Sequence, residues 1–115
     1  MSIIHGFIEL YKIWQKIFPH FPTTSRHTLG YRIDNLLVEI AELLFLAQFA
    51  TGNIKLSLVG KTSQKLDTTK FLLRLAWEIE SMEEKKYIIL SEYLQNIGKQ
   101  LGGWMKYLRK ENSPR

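Results

Sequence analysis

Ile3, Ile4, Phe7, Ile8, Tyr11, Trp14, Ile17 and Phe18 recur at steps of three and four residues. That period is one face of an α-helix, and it predicts a first amphipathic helix ending before Pro19. Pro19 and Pro22 frame a tight loop, and Thr23, Thr24 or Ser25 can cap a second helix. Its apolar face is Leu29, Ile33, Leu36, Leu37, Ile40, Leu43, Leu44, Ala47 and Ala50, about 26 residues of helix that end at Gly52. Gly52-Asn53 forms a turn. Ile54, Leu56 and Leu58 then alternate, which fits either a short strand or, as the preferred expectation, the lead-in to a helix.

A third helix is expected from about Ser63 to Glu80, with Leu66, Thr69, Leu72, Leu73, Ala76 and Ile79 on one arc. Ser81 with Glu84 three residues later reads as a capping box opening a fourth. Tyr87, Leu90, Leu94, Ile97, Leu101, Trp104 and Leu108 then step alternately by three and four, a seam that packs nearly parallel or antiparallel to its neighbours. Four helices with short connections predict an all-α, up-down-up-down antiparallel four-helix bundle over residues 1–110, with a disordered basic tail over 111–115.

The segment FLLRLAW, residues 71–77, is apolar almost all the way round. Leu72, Leu73 and Ala76 serve the core, which leaves Phe71 and Leu75, four apart on another flank, as apolar surface that a small monomer rarely leaves bare. They are the expected oligomer interface. Gly98, Gly102 and Gly103 each cost a helix interior roughly 1 kcal/mol against alanine. Either another helix or the Trp104 ring approaches closely there, or the helix ends at Gly102 and restarts. Gly30 admits the same two explanations.

A length of 115 residues with 45% hydrophobic content suits one domain with a real core. Cysteine is absent, which removes disulfides, thiolate nucleophiles and Cys-ligated zinc and fits a reducing cytoplasm. No export peptide is read at the N-terminus, and the greasy run Leu36–Ala50 contains Glu39 and Glu42 and is too short to cross a bilayer, so no membrane partner is expected. Catalysis is not expected either. His5, His20 and His27 are scattered, no histidine sits at a Glu-x-x-His step, and no phosphate-binding glycine loop or nucleophile elbow occurs, so neither a metal site nor a cofactor is implied.

Sixteen Lys and Arg against eleven Asp and Glu give a net charge of +5, which favours phosphate-bearing partners. The excess concentrates in two segments. Residues 55–74 hold Lys55, Lys61, Lys65, Lys70 and Arg74 against Asp67, and residues 99–115 hold Lys99, Lys106, Arg109, Lys110 and Arg115 against Glu111. Lys70 and Arg74, four apart on one stripe, repel each other unless an anion lies across them, which makes them the first candidates for a phosphate or acidic-partner contact. Lys61 with Lys65, and Lys106 with Arg109 and Lys110, extend the basic surface.

Three stretches, FPTTSRHTLGYRID (21–34), KFLLRLAW (70–77) and IGKQLGGWMKYL (97–108), resemble the accessory variability determinant (Avd) proteins of diversity-generating retroelements. The resemblance covers nearly the whole chain. It implies a bundle assembled into a homopentameric barrel, without catalysis of its own. Such a ring binds the element's reverse transcriptase and nucleic acid, template RNA or an RNA/DNA hybrid, through basic surfaces in support of mutagenic retrohoming. The family's cationic pair on the third helix corresponds to Lys70 and Arg74, with Lys70 where members often have arginine; Arg26 and Arg32 fall within the matching motifs. A similar bundle is encoded in intervening sequences of large-subunit ribosomal RNA genes, and TLGYRID with the GGW ending leans toward the retroelement group. A scaffold that oligomerises and docks proteins without touching nucleic acid is the alternative of a different class.

Overall fold

The computed structural model of the chain describes residues 2–113. Four long helices dominate: α1 (Ser2–Ile17), α2 (Tyr31–Phe49), α3 (Gly52–Glu78) and α4 (Glu84–Glu111). At ~1.5 Å per residue α3 and α4 are each about 40 Å long, so in a body of 53 × 22 × 21 Å they lie along the long axis. Side-chain pairings set the direction. Trp77 meets Tyr87, Lys70 meets Gly98 and Gly60 meets Met105, so α3 and α4 run antiparallel; Tyr11 against Asp34 does the same for α1 and α2. The expected up-down-up-down order is the one observed, with α2 packed on α3, α3 on α4 and α4 on α1.

The core follows the predicted seams. Leu90, Leu94, Ile97, Leu101 and Leu108 of α4 are buried against Leu66 and Leu73 of α3, Ile33, Leu37, Ile40 and Leu44 of α2, and Phe7, Leu10 and Trp14 of α1. Each such side chain contributes roughly 1.5–3 kcal/mol by leaving water. Thr62 and Thr69 also face inward and are accommodated because their hydroxyls donate back to the carbonyls of Leu58 and Lys65, both at 2.8 Å.

Several local expectations are corrected. α3 starts at Gly52, about three turns ahead of the expected Ser63, so the alternating Ile54, Leu56 and Leu58 form the preferred helical lead-in and no strand forms there. Gly52 adopts φ +59°, the left-handed turn that breaks α2 from α3, and the Lys55 amide donates to the Thr51 carbonyl at 3.3 Å. Ile79 lies just past α3 and is exposed. The second helix is not capped by Thr23, Thr24 or Ser25. Pro22 holds the N-cap position, and its carbonyl accepts from the amides of Ser25 at 3.0 Å and Arg26 at 2.8 Å. A wide, π-type turn over Arg26–Gly30 then leads into α2.

Ser81 does not form a capping box, because its hydroxyl is buried and bonded at 2.7 Å to that of Ser25, joining the two connections at one end of the bundle. α4 is instead entered from an extended Glu83 with no side-chain cap. Of the predicted tail, Glu111 ends α4 and Asn112 Nδ2 donates to the Leu108 carbonyl at 2.8 Å, while residues 114 and 115 lie outside the described residues.

α3 closes with Glu80 at φ +62° while the Ser81 amide reaches back to the Ala76 carbonyl at 2.8 Å. This turn normally takes glycine, because a Cβ in the left-handed region crowds the next carbonyl. Glu80→Gly is therefore expected to raise the unfolding free energy by about 0.5–1 kcal/mol, the relieved strain less the added chain entropy. Urea denaturation checks this, and a loss of stability would mean that the Glu80 side chain makes contacts outweighing the strain.

Candidate functional site

The cations singled out in the sequence do not form one site. Lys70 is half-buried in the groove between α3 and α4, where its ammonium lies 3.1 Å from the place a Cβ on residue 98 would occupy. A Cβ at Gly98 would displace only the flexible end of Lys70 and would touch Leu66 Cδ2 at an ordinary 3.5 Å, so the approach there is close but mild. Lys70 also sits 4.0 Å from the Asp67 carboxylate, and Arg74 Nε lies 3.2 Å from Glu78 Oε2. Each member of the pair therefore carries a carboxylate on its own helix. Exposed pairs of this kind are worth ~0–1 kcal/mol, so a phosphate can compete for either cation, but against an anion already in place.

Arg32 and Lys65 converge on Glu39, at 4.0 and 3.1 Å, and tie α2 to α3. Arg26 is a brace within the chain, its Nε and Nη2 donating to the Phe21 carbonyl at 3.2 and 3.1 Å. Lys61 is exposed on α3; Lys106 and Arg109 are exposed on the last turns of α4. Pairing of α3 with α4 puts Arg74 level with the residues near Glu92, so Lys106 stands about 20 Å further along the bundle.

The helical glycines divide. Gly98 is a close approach and Gly60 meets Met105, but a Cβ at Gly102 or Gly103 would find nothing within 4 Å. The expected intrachain packing at those two positions is absent, and the helix continues through them. Trp104 is half-buried, with the Lys55 ammonium 5.1 Å from its ring centre.

Exposed apolar side chains occur along all four helices, and two groups of them form a ridge and a groove. Phe71 is 63% exposed and Leu75 37%, as the segment 71–77 suggested. Sequence reasoning missed the second, a groove between α1 and α2 lined by Phe7, Ile8, Tyr11, Val38, Ala41 and Phe45. Its signal was the doubling of Ile4 beside Ile3 and Ile8 beside Phe7, which widens the apolar stripe of α1 past what one core requires. Tyr11, which lines this groove, donates a hydrogen bond to Asp34 at 2.8 Å, and Asp34 also accepts from Trp14 Nε1 at 3.0 Å. Burial, then the hydrogen bond to Asp34, pushes the Tyr11 phenol above its ordinary value. Among the described residues no three His, Cys, Asp or Glu come together as a metal group, and no helix is long and apolar enough to cross a membrane.

A family model described as bAvd-like matches residues 4–108, the span of all four helices. The chain belongs to the bAvd-like family. No curated protein matches the sequence. The bAvd-like match includes all the motifs on which the resemblance was drawn, from the Phe-Pro loop at 21–22 to the GGW segment at 102–104.

Proposed function

We propose that this bAvd-like chain is an accessory protein of a diversity-generating retroelement, a non-catalytic subunit that assembles into a homopentameric ring and holds reverse transcriptase and template RNA together. The family match over residues 4–108 carries this reading. Charge supports it: five copies at +5 amount to +25, a strong field for a polyanion. Lys70 and Arg74 keep the role the resemblance implies, contact with nucleic acid or the polymerase, with Lys61 and Lys65 extending their surface. Cytoplasmic location belongs to the same reading.

The apolar ridge and groove are compatible with a ring. The Phe71–Leu75 ridge on α3 and the groove between α1 and α2 are different surfaces of one chain, and contacts between unlike surfaces repeat around a ring until they close. Light scattering followed by RNA titration across a salt series tests the proposal. Wild type is expected at about 67 kDa, five times 13.5 kDa, with affinity falling steeply as salt rises. Phe71→Glu with Leu75→Glu is expected to leave a folded monomer that binds RNA at least tenfold more weakly, having lost the ring's multivalency. A wild-type monomer indifferent to RNA would end this reading, and a pentamer indifferent to RNA would leave only the protein-docking scaffold.

A further inference from the structure

Lys99, Lys106 and Lys110 are all exposed on α4, seven and four residues apart. At 100° per residue they fall within an arc of about 40°, spaced ~10 and ~6 Å along the axis. Gly102 and Gly103 lie between them, exposed and with open space where side chains would stand. We propose that this stripe binds the phosphate backbone of a nucleic-acid duplex, as a surface separate from Lys70 and Arg74. The inference rests on the nucleic-acid reading above and locates a contact within it.

Charge is the first argument. From residue 93 to residue 110 α4 has no carboxylate, and neither does the first half of α3 beside it, from Gly52 to Leu66. Lys70 and Arg74 each have an acidic neighbour at 4.0 and 3.2 Å, whereas none of the ion pairs among the described residues involves Lys99, Lys106, Arg109 or Lys110. These lysines therefore present their charge to a polyanion without displacing a carboxylate first.

Shape is the second. Because a strand winds as it rises, neighbouring phosphates lie farther apart than the ~3.4 Å axial rise per nucleotide, so gaps of ~6 and ~10 Å between cations match steps of one to two phosphates. With two glycines in the middle, the backbone of a duplex can approach the helix itself. The three lysines are point charges on flexible stems; exposed Tyr107 stands three residues before Lys110, about 60° round the helix from it, and its hydroxyl is held in a hydrogen bond to Glu111. That composition suits regularly spaced phosphates and offers one tethered ring, not the succession of stacking platforms that single strands use. Arg109 stands at the edge of the same stripe.

The test is binding of a 20-base-pair RNA duplex, and of one of its strands alone, to the full-length protein over a salt series. Lys99→Ala, Lys106→Ala and Lys110→Ala combined are expected to weaken duplex binding at least tenfold and to lower the salt slope by roughly two to three. Lys16→Ala, Lys85→Ala and Lys86→Ala combined remove the same charge elsewhere and are expected to change binding less than threefold. Lys70→Ala with Arg74→Ala leaves the stripe intact and is expected to lower the slope by no more than about two, with the stripe's share retained. Gly102→Gln with Gly103→Gln keeps every charge but fills the gap, so Tm is expected to rise while duplex affinity falls at least threefold.

If wild type binds duplex and the stripe variant binds equally well with the same slope, the stripe assignment is wrong while the nucleic-acid reading survives. Preference for the single strand overturns the duplex assignment. Absence of any RNA binding by wild type sinks both.

Discussion

Asp34→Ala lowers the unfolding free energy by about 2–4 kcal/mol, because one carboxylate oxygen accepts from both Tyr11 Oη and Trp14 Nε1. Trp14 is fully buried, stacked on Phe18 at 5.3 Å and edge-on to Phe21 at 5.5 Å, so its indole N–H loses its acceptor when Asp34 is gone. An orphaned buried donor costs roughly 1–3 kcal/mol, and hydrogen bonds to a charged acceptor are worth ~1.5–3 kcal/mol each. Tyr11 is only half-buried and is also bonded by Gln15 at 2.8 Å, so Tyr11→Phe should cost about 1 kcal/mol or less. Urea unfolding at one fixed protein concentration separates the two variants. An Asp34→Ala protein within ~0.5 kcal/mol of wild type would show that Trp14 finds another acceptor.

Gly30→Ala destabilises the chain by about 1–3 kcal/mol, against the gain of ~1 kcal/mol that helix propensity alone gives this exchange. Gly30 has φ −59°, ordinary for a helix, so backbone freedom is not the reason glycine stands there. The reason is contact. A Cβ would lie 2.7 Å from Phe18 Cε1 and 3.3 Å from Phe21 Cδ2. Phe18 cannot swing aside easily, being stacked on Trp14 and edge-on to Tyr31 at 5.6 Å. Gly102→Ala is the matched control: the same exchange in open space should stabilise by up to ~1 kcal/mol. Opposite signs for the two substitutions, read from thermal or urea unfolding, are the expected outcome; equal signs would mean that the aromatic cluster yields to a methyl group.

Much of the fold was legible because helical periodicity is a local property. The stripe from Leu90 to Leu108 specified the buried face of α4 before any partner was known, and Phe71 and Leu75 stood out because one stripe already filled the core. Errors gathered where local patterns are ambiguous. Ile54, Leu56 and Leu58 alternate as a strand would, and although a helical lead-in is the preferred expectation there, the third helix is expected to begin only near Ser63. Leu56, Val59 and Thr62 recur at helical steps, and with Val59 and Thr62 packed in the core the helix starts at Gly52. Ser81 matched a capping box, but Ser25, 56 residues earlier, was the better partner for a buried hydroxyl.

The candidate site was less legible than the fold. A count of lysines and arginines shows the sign of the charge and the segments that hold it, but not which cations have a carboxylate beside them. That Glu39 takes both Lys65 and Arg32, and that Lys70 crosses Gly98 while Lys106 stands about 20 Å away, are consequences of helices meeting across the bundle.

By itself the sequence determined four amphipathic helices, their order, their inward faces, the net charge of +5 and the family, because each is written in residue types and short-range spacing. Only the tertiary structure decided that Gly30 and Gly98 admit neighbours while Gly102 and Gly103 face open space, that Asp34 serves two aromatic donors, and which lysines remain unpaired. Each of these depends on contacts between residues distant in the chain, and such contacts exist only once the helices have packed.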